Sequence, residues 1–109
     1  NFASGVLIRS VFIANESERI ASGPGLLTKR FSIDIKLNST EMYKNGYLKV
    51  CQPNINLNKN DLVQTTRIGI SKAVKLRWRW YLRNCRSISK REKGDKNPPF
   101  NAQALNLIK

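Results

Sequence analysis

Between Lys75 and Asn84 the sequence reads KLRWRWYLRN, and large apolar and polar residues change places at each step. Leu76, Trp78, Trp80 and Leu82 fall on one side, Arg77, Arg79, Tyr81 and Arg83 on the other. Successive Cβ atoms of a strand point to opposite faces, so a period of two predicts a half-buried strand. The alternation assigns the tryptophans to the core face and the arginines to the outer one. Bases stack on aromatic rings that share a face with basic residues, and only Tyr81 stands there. Side chains on one face recur about every 6.6 to 6.8 Å. A row of arginines at that spacing either tracks a phosphate backbone or forms a solvated face.

The remainder of the chain is short. Its 109 residues, 40% of them hydrophobic, fill one small domain. With a formal charge of +13 the chain repels itself, which points to a polyanionic partner. Six basic residues and no acidic one lie between Arg67 and Arg83, whereas the stretch from Gly5 to Ala14 carries only Arg9. No apolar run approaches the roughly 18 residues of a membrane span and no long basic amphipathic helix is present. Nucleic acid is therefore the expected partner. Cys51 and Cys85 are read as reduced thiols, since no dense cysteine pattern accompanies them. Asn15-Glu16-Ser17 and Asn38-Ser39-Thr40 match the glycosylation triplet by chance. Without histidine, histidine acid/base chemistry and histidine metal ligation are excluded for this chain.

The local patterns predict the following order. Residues 5 to 14, rich in valine and isoleucine and bounded by Gly5 and the polar NESER, read as a strand. Ser22, Gly23 and Pro24 are helix-start signals for a helix from about Pro24 to Phe31. NSTEMYKNG reads as one helical turn capped by Asn38 or Ser39 and stopped at Gly46. YLKVCQ reads as a strand broken by Pro53, NINLNKND as loop, and Leu62 to Ile70 as a strand. The tail from Lys90 is polar, contains Pro98-Pro99, and is expected to lack fixed structure over much of its length. The chain opens on Asn1 and runs at once into GVLIRSVFIA, as a piece of a longer protein would.

Candidate chemistry is sparse. In SGPG, glycines flank a helix-starting proline, so a backbone can approach closely and free N–H groups can face an anion. The same residues also make an ordinary turn; Lys29 and Arg30 in that helix favour phosphate. The carboxylates are Glu16, Glu18, Asp34, Glu41, Asp61, Glu92 and Asp95. All fall in predicted loops, helix ends or tail, without the desolvated setting of a general acid or base. No metal-ligand spacing is present. On its own residues the chain is a basic binding surface with no evident catalytic group.

The order of these pieces resembles the C-terminal half of the methylpurine-DNA glycosylase (3-methyladenine or alkyladenine DNA glycosylase) family. VLIRSV with Arg9, Gly23-Pro24-Gly25-Leu26-Leu27, Arg67-Ile68-Gly69-Ile70, Arg79-Trp80-Tyr81-Leu82 and Ile88-Ser89 match that family's motifs in register. Leu26 replaces a usual lysine, Arg77 a usual proline, and Asn84-Cys85-Arg86 a glycine-containing turn. The Glu-Pro that follows the first strand in the family is missing, and only ANESERI separates that strand from SGPG.

The resemblance implies an α+β fold, a curved antiparallel sheet with short helices, over residues 1–89, followed by a flexible tail, 90–109. It implies base excision: the damaged nucleotide is flipped into a pocket and a glutamate activates water to cleave the N-glycosidic bond. The expected partner is double-stranded DNA containing an alkylated purine; no cofactor, metal or membrane is involved, and the protein is a monomer. The setting is the bacterial cytoplasm, or an organelle or nucleus in a eukaryote. The family's catalytic glutamate and intercalating tyrosine lie upstream of the strand matching residues 6 to 11, so this piece alone is expected to be inactive. The resemblance carries over one active-site residue, Arg9, beside the water and the nucleotide's phosphate. With it, Gly23, Gly25, Lys29, Arg30, Arg67, Arg77 and Arg79 are the expected DNA contacts. The alternative from composition alone is a small basic nucleoprotein without catalysis, such as a ribosomal subunit.

Overall fold

The computed structural model describes residues 4–43, 46–53, 56–83, 85–92 and 95. Helix α1, Pro24–Arg30, comes first, followed by 3-10 turns at Ile35–Leu37 and Lys59–Asp61. Two strands, β1 (Leu62–Thr65) and β2 (Arg79–Leu82), then pair antiparallel. The result is the α+β class that the resemblance implies, with a small open sheet.

The helix begins where the proline and glycines place it. Gly23 is its extended N-cap, and Pro24 occupies the first turn, where its missing N–H costs nothing. Lys29 and Arg30 lie in the last turn, favourably placed against the C-terminal end of the helix dipole. Ser32, at φ 52°, ends the helix in the left-handed region. Leu27 is its one buried residue and Phe31 is half-buried, so one narrow stripe anchors it.

In the hairpin, Val63 stands opposite Tyr81 and Thr65 opposite Arg79. Val63, Thr65 and Tyr81 are buried, and with Ala21, Leu27 and Cys85 they make the core among the described residues. The chain after β2 folds back over this face. Arg91 donates to the carbonyls of Arg83, at 2.7 Å, and Cys85, and pairs with Asp95 at 3.2 Å. The Tyr81 hydroxyl donates to the Asp95 carboxylate and accepts from the Glu92 N–H at 3.1 Å. Both cysteines are free thiols, Cys85 buried and Cys51 exposed.

Five local expectations change. Residues 5 to 14 form no strand among the described residues: the Val11 N–H donates to the Ala21 carbonyl at 3.1 Å, and Val6 and Leu7 are exposed. Propensity makes a segment extended, but a strand requires a partner. The turn expected at 38–46 falls in part on residues 44–45, outside the described residues; upstream, the Asp34 carboxylate accepts from the Lys36 N–H at 2.8 Å and caps Ile35–Leu37, a turn that Asn38 ends rather than starts. Among the described residues YLKVCQ forms no strand; the Val50 N–H donates to the Met42 carbonyl at 2.8 Å. NINLNKND is not all loop: the Asp61 side chain accepts from the Asn58 N–H at 2.8 Å and closes a 3-10 turn. Finally, β1 stops at Thr65, and Gly69, at φ 71°, lies in the connection to β2. Of the tail, residues 93–94 and 96–109 lie outside the described residues, whereas Lys90, Arg91, Glu92 and Asp95 are engaged by the hairpin.

Candidate nucleic-acid interface

The face prediction for β2 is reversed. Trp78 and Trp80 are 60% and 57% exposed, whereas Tyr81 is 7% exposed. The two sides are not cleanly parted, since Arg79 and Tyr81 line the same groove as Trp78, Trp80 and Leu82. The tail segment covers the Tyr81 side, and the tryptophan side borders an open groove of about 930 Å³. Residues 5–10 and Phe12 line the groove together with Trp78, Trp80, Leu82 and Ile88. Tyr81 is therefore unavailable as a stacking platform, while the tryptophans stand open.

Three of the predicted contact residues meet at this groove: Arg9, Arg67 and Arg79. Arg9 belongs to the segment 5–10 that lines the groove and is half-buried. Arg67 lies over the Trp78 ring at 5.4 Å and donates to the Lys72 and Ala73 carbonyls at 3.4 and 3.3 Å. Its Nε is buried and has no hydrogen-bond partner among the described residues. Arg79 is half-buried, donates to the Thr66 and Lys90 carbonyls at 2.7 and 2.8 Å, and lies 5.4 Å from the Tyr81 ring centre. Burial holds Arg79 below the ordinary arginine range; Arg9 pushes the same way, while Tyr81 and Glu92 oppose. Burial disfavours the charged form and a nearby like charge does the same. The two guanidinium groups thus share a field that an anion would relieve.

The remaining predicted residues lie elsewhere. Arg77 lines a smaller depression with Gln64, Arg83, Glu92 and Asp95. It donates to the Gln64 carbonyl and approaches Glu92 at 3.7 Å. At α1, Gly23 is buried against Ser89, where an added Cβ would lie 3.6 Å from the serine Cβ, and Gly25 faces open space. Gly23 thus joins the helix to the segment after β2. Lys29 is exposed. Arg30 is held by Glu16 through two hydrogen bonds, Nε to Oε2 at 2.7 Å and a second from its terminal nitrogen. The Arg30 hydrogen bond holds the Glu16 carboxyl below its usual range. The predicted contacts therefore split among the groove (Arg9, Arg67, Arg79), the helix α1 (Gly23, Gly25, Lys29, Arg30) and the smaller depression (Arg77).

Among the described residues no acidic one lines the groove. Glu16 is held by Arg30, Glu18 faces Arg86 at 3.7 Å, Glu92 faces Arg77, and Asp95 serves Tyr81 and Arg91. Asp34 and Asp61 cap turns. Among the described residues no cluster of three or more histidine, cysteine, aspartate or glutamate side chains could hold a metal ion, and no helix is long and apolar enough to cross a membrane. Sequence reasoning missed the part played by Arg91 and Asp95, which fasten the tail segment over Tyr81. Their i,i+4 spacing was the available signal.

Comparison with known proteins bears on this arrangement. The family model described as methylpurine-DNA glycosylase matches residues 1–86. Among curated proteins, one of Trichodesmium erythraeum is 44% identical over 73 residues, covering 66% of this chain and 36% of its own length. One of Methanoculleus marisnigri is 43% identical over 74 residues, 66% of this chain and 38% of its length. One of Synechococcus elongatus is 33% identical over 93 residues, 85% of this chain and 47% of its length. Each carries the name "Putative 3-methyladenine DNA glycosylase". The chain thus spans less than half the length of these relatives. No solved structure matches it.

Proposed function

Because the chain belongs to the methylpurine-DNA glycosylase family, we propose that it forms part of a DNA glycosylase of base excision repair, one that hydrolyses the N-glycosidic bond of alkylated purines such as 3-methyladenine. The observation that carries the reading is the family match over residues 1–86 combined with Arg9, Arg67 and Arg79 converging on one groove. The family match also displaces the non-catalytic ribosomal alternative.

In this reading the partner is duplex DNA with a flipped nucleotide, since a base inside the stack cannot be reached. Arg9 lies beside the nucleotide's phosphate and the attacking water, where a fixed positive charge orients both and opposes the phosphate's charge. Arg67 and Arg79 extend the positive field along the groove, while Gly23, Gly25, Lys29 and Arg30 meet the backbone from the helix end. Arg77 adds charge at the other edge of the hairpin. Water must also lose a proton to a base, and among the described residues no carboxylate lines the groove. That group comes from the part of the family domain outside this chain, and the chain alone binds without cleaving.

Two measurements on the full 109-residue chain test this. Binding to a duplex oligonucleotide is expected to be weak, with log K falling against log salt at a slope of about −0.9 per phosphate neutralised. Arg9→Ala and Arg67→Ala should each lower that slope by about 1. Methylated DNA incubated with the chain should release no 3-methyladenine. Salt-independent binding, or slopes unaltered by both substitutions, removes the groove from the interface; base release by the chain alone removes the external catalytic group.

A further inference from the structure

We propose that Tyr81, Arg91 and Asp95 form a clasp that positions Arg79 at the groove, with the Lys90 carbonyl as its point of contact. The clasp stands on this chain's own hydrogen bonds; only the contact of Arg79 with DNA rests on the glycosylase reading.

Arg91 is the hub. Its Nη1 donates to the Arg83 carbonyl at 2.7 Å and to the Asp95 carboxylate at 3.2 Å, and its Nη2 donates to the Cys85 carbonyl. A planar guanidinium fork serves three acceptors at once, which the compact ammonium of a lysine on its flexible stem does not match. Asp95 accepts a second donor, the Tyr81 hydroxyl, and that hydroxyl accepts from the Glu92 N–H at 3.1 Å. The Arg91 and Asp95 side chains are only 12% and 11% exposed, so water competes little with these charge-assisted bonds. Residues 90–92 are thereby held over the Tyr81 ring. From there the Lys90 carbonyl accepts from Arg79 Nη1 at 2.8 Å, while the Thr66 carbonyl accepts from Nε at 2.7 Å.

Both of these acceptors are neutral carbonyls, so Arg79 is fixed in place without a carboxylate among them to cancel its charge. It lines the groove with Arg9 and Arg67. An arginine side chain has large rotamer freedom, and ordering it before an anion arrives strengthens binding by about 2- to 12-fold. Arg91 and Asp95 lie outside residues 1–86, the stretch that the family model matches. The clasp is therefore not carried over from the family's motifs.

The test turns on a sign, in the full 109-residue chain with a duplex oligonucleotide. Asp95→Asn raises the formal charge of +13 by one, so if Asp95 were merely a charge near the surface, duplex binding would tighten. If the clasp positions Arg79, binding weakens by about 2- to 12-fold instead, and in an Arg79→Ala background the same substitution no longer weakens it. Arg91→Lys keeps the charge but loses the fork, and should weaken binding as Asp95→Asn does. A measurement without DNA accompanies these: exchange of the Arg79 Nε–H with water, followed by NMR and assigned by its absence in Arg79→Ala, should be severalfold faster in both clasp variants. Circular dichroism selects conditions in which each variant is folded, and Tyr81→Phe takes the place of a variant that does not fold. Unaltered Nε–H exchange in the folded variants overturns the proposal. So does Asp95→Asn binding that tightens where Arg79→Ala binding weakens. Faster exchange in a chain whose duplex binding does not respond to Arg79→Ala upholds the clasp and sinks the DNA contact of Arg79.

Discussion

Tyr81 and Trp80 are neighbours on one strand, yet the tyrosine is 7% exposed and the tryptophan 57%. Over the tyrosine, the chain after β2 supplies Arg91, Glu92 and Asp95, all within fifteen residues in sequence and all hydrogen-bonded to the ring's hydroxyl, to each other or to nearby carbonyls. The Arg79 and Arg91 guanidinium carbons lie 5.4 and 6.0 Å from its ring centre. Beside the tryptophan, the segment 5–10 lines the groove but leaves Trp80 exposed. The two residues differ in their cover: Tyr81 is closed over by the local sequence after β2, while Trp80 stays open. Apolarity alone therefore does not decide burial; a polar-looking face with nearby partners closes first.

Truncating each ring in turn is the strongest way to break this comparison. Tyr81→Ala should destabilise the chain by roughly 3 kcal/mol, at the lower end of aromatic-to-alanine changes in a core, which is a large part of the 5–15 kcal/mol that holds a typical domain. Trp80→Ala should cost less than about 0.5 kcal/mol, as exposed positions do. Denaturant unfolding followed by circular dichroism gives both values. Equal losses would show that the groove is as well packed as the Tyr81 side. Tyr81→Phe separates the ring from its hydroxyl: leaving the Asp95 carboxylate without its donor should cost about 1–2 kcal/mol.

A pH titration sharpens the same contrast through the phenol. Burial, followed by the hydrogen bond to Asp95, pushes the Tyr81 phenol above its ordinary range. The fold thus prefers the neutral hydroxyl, so its contribution is complete below the unfolded tyrosine value of about 10 and is lost as pH rises through the higher folded value. The denaturation midpoint should fall on the alkaline side of pH 10, and Tyr81→Phe should remove that part of the fall. An unchanged alkaline limb in the phenylalanine variant would place the loss elsewhere.

These contrasts show what could be read from residue order. Pro24 and its flanking glycines marked the helix start to the residue, because a helix N-terminus is specified by neighbours in sequence. The alternation in KLRWRWYLRN located the strand now seen as β2, Arg79–Leu82, but assigned its tryptophans to the core, whereas Trp80 is exposed and Tyr81 buried. Which face is covered depended on Arg91 and Asp95 reaching back to Tyr81, and no periodicity encodes that return. The segment 5–14 had the composition of a strand, but strand formation is a property of pairs. Of the candidate site, the convergence of Arg9 and Arg67, 58 positions apart in sequence, came from the family's motif order; spacing gave no hint of it. The commitment of Arg30 to Glu16 went unseen because the two belong to separate segments brought together by folding.

The smallest expected effect falls at the edge between the faces, on Arg77. Its side chain is 57% exposed, approaches Glu92 at 3.7 Å and donates to the Gln64 carbonyl across the hairpin. An exposed pair at that separation contributes about 0–1 kcal/mol, and the carbonyl remains open to water when the guanidinium is removed. Arg77→Ala should therefore lower stability by no more than about 0.5 kcal/mol. If Arg77 meets DNA as proposed, the same substitution should lower the salt slope of duplex binding by about 1. Binding that weakens while stability holds would assign Arg77 to the interface and leave the covered face to Tyr81 and its tail segment. Loss of stability on the scale of Tyr81→Ala, with an unchanged salt slope, would instead make Arg77 part of the closure itself and move the edge of the covered face outward by one residue pair.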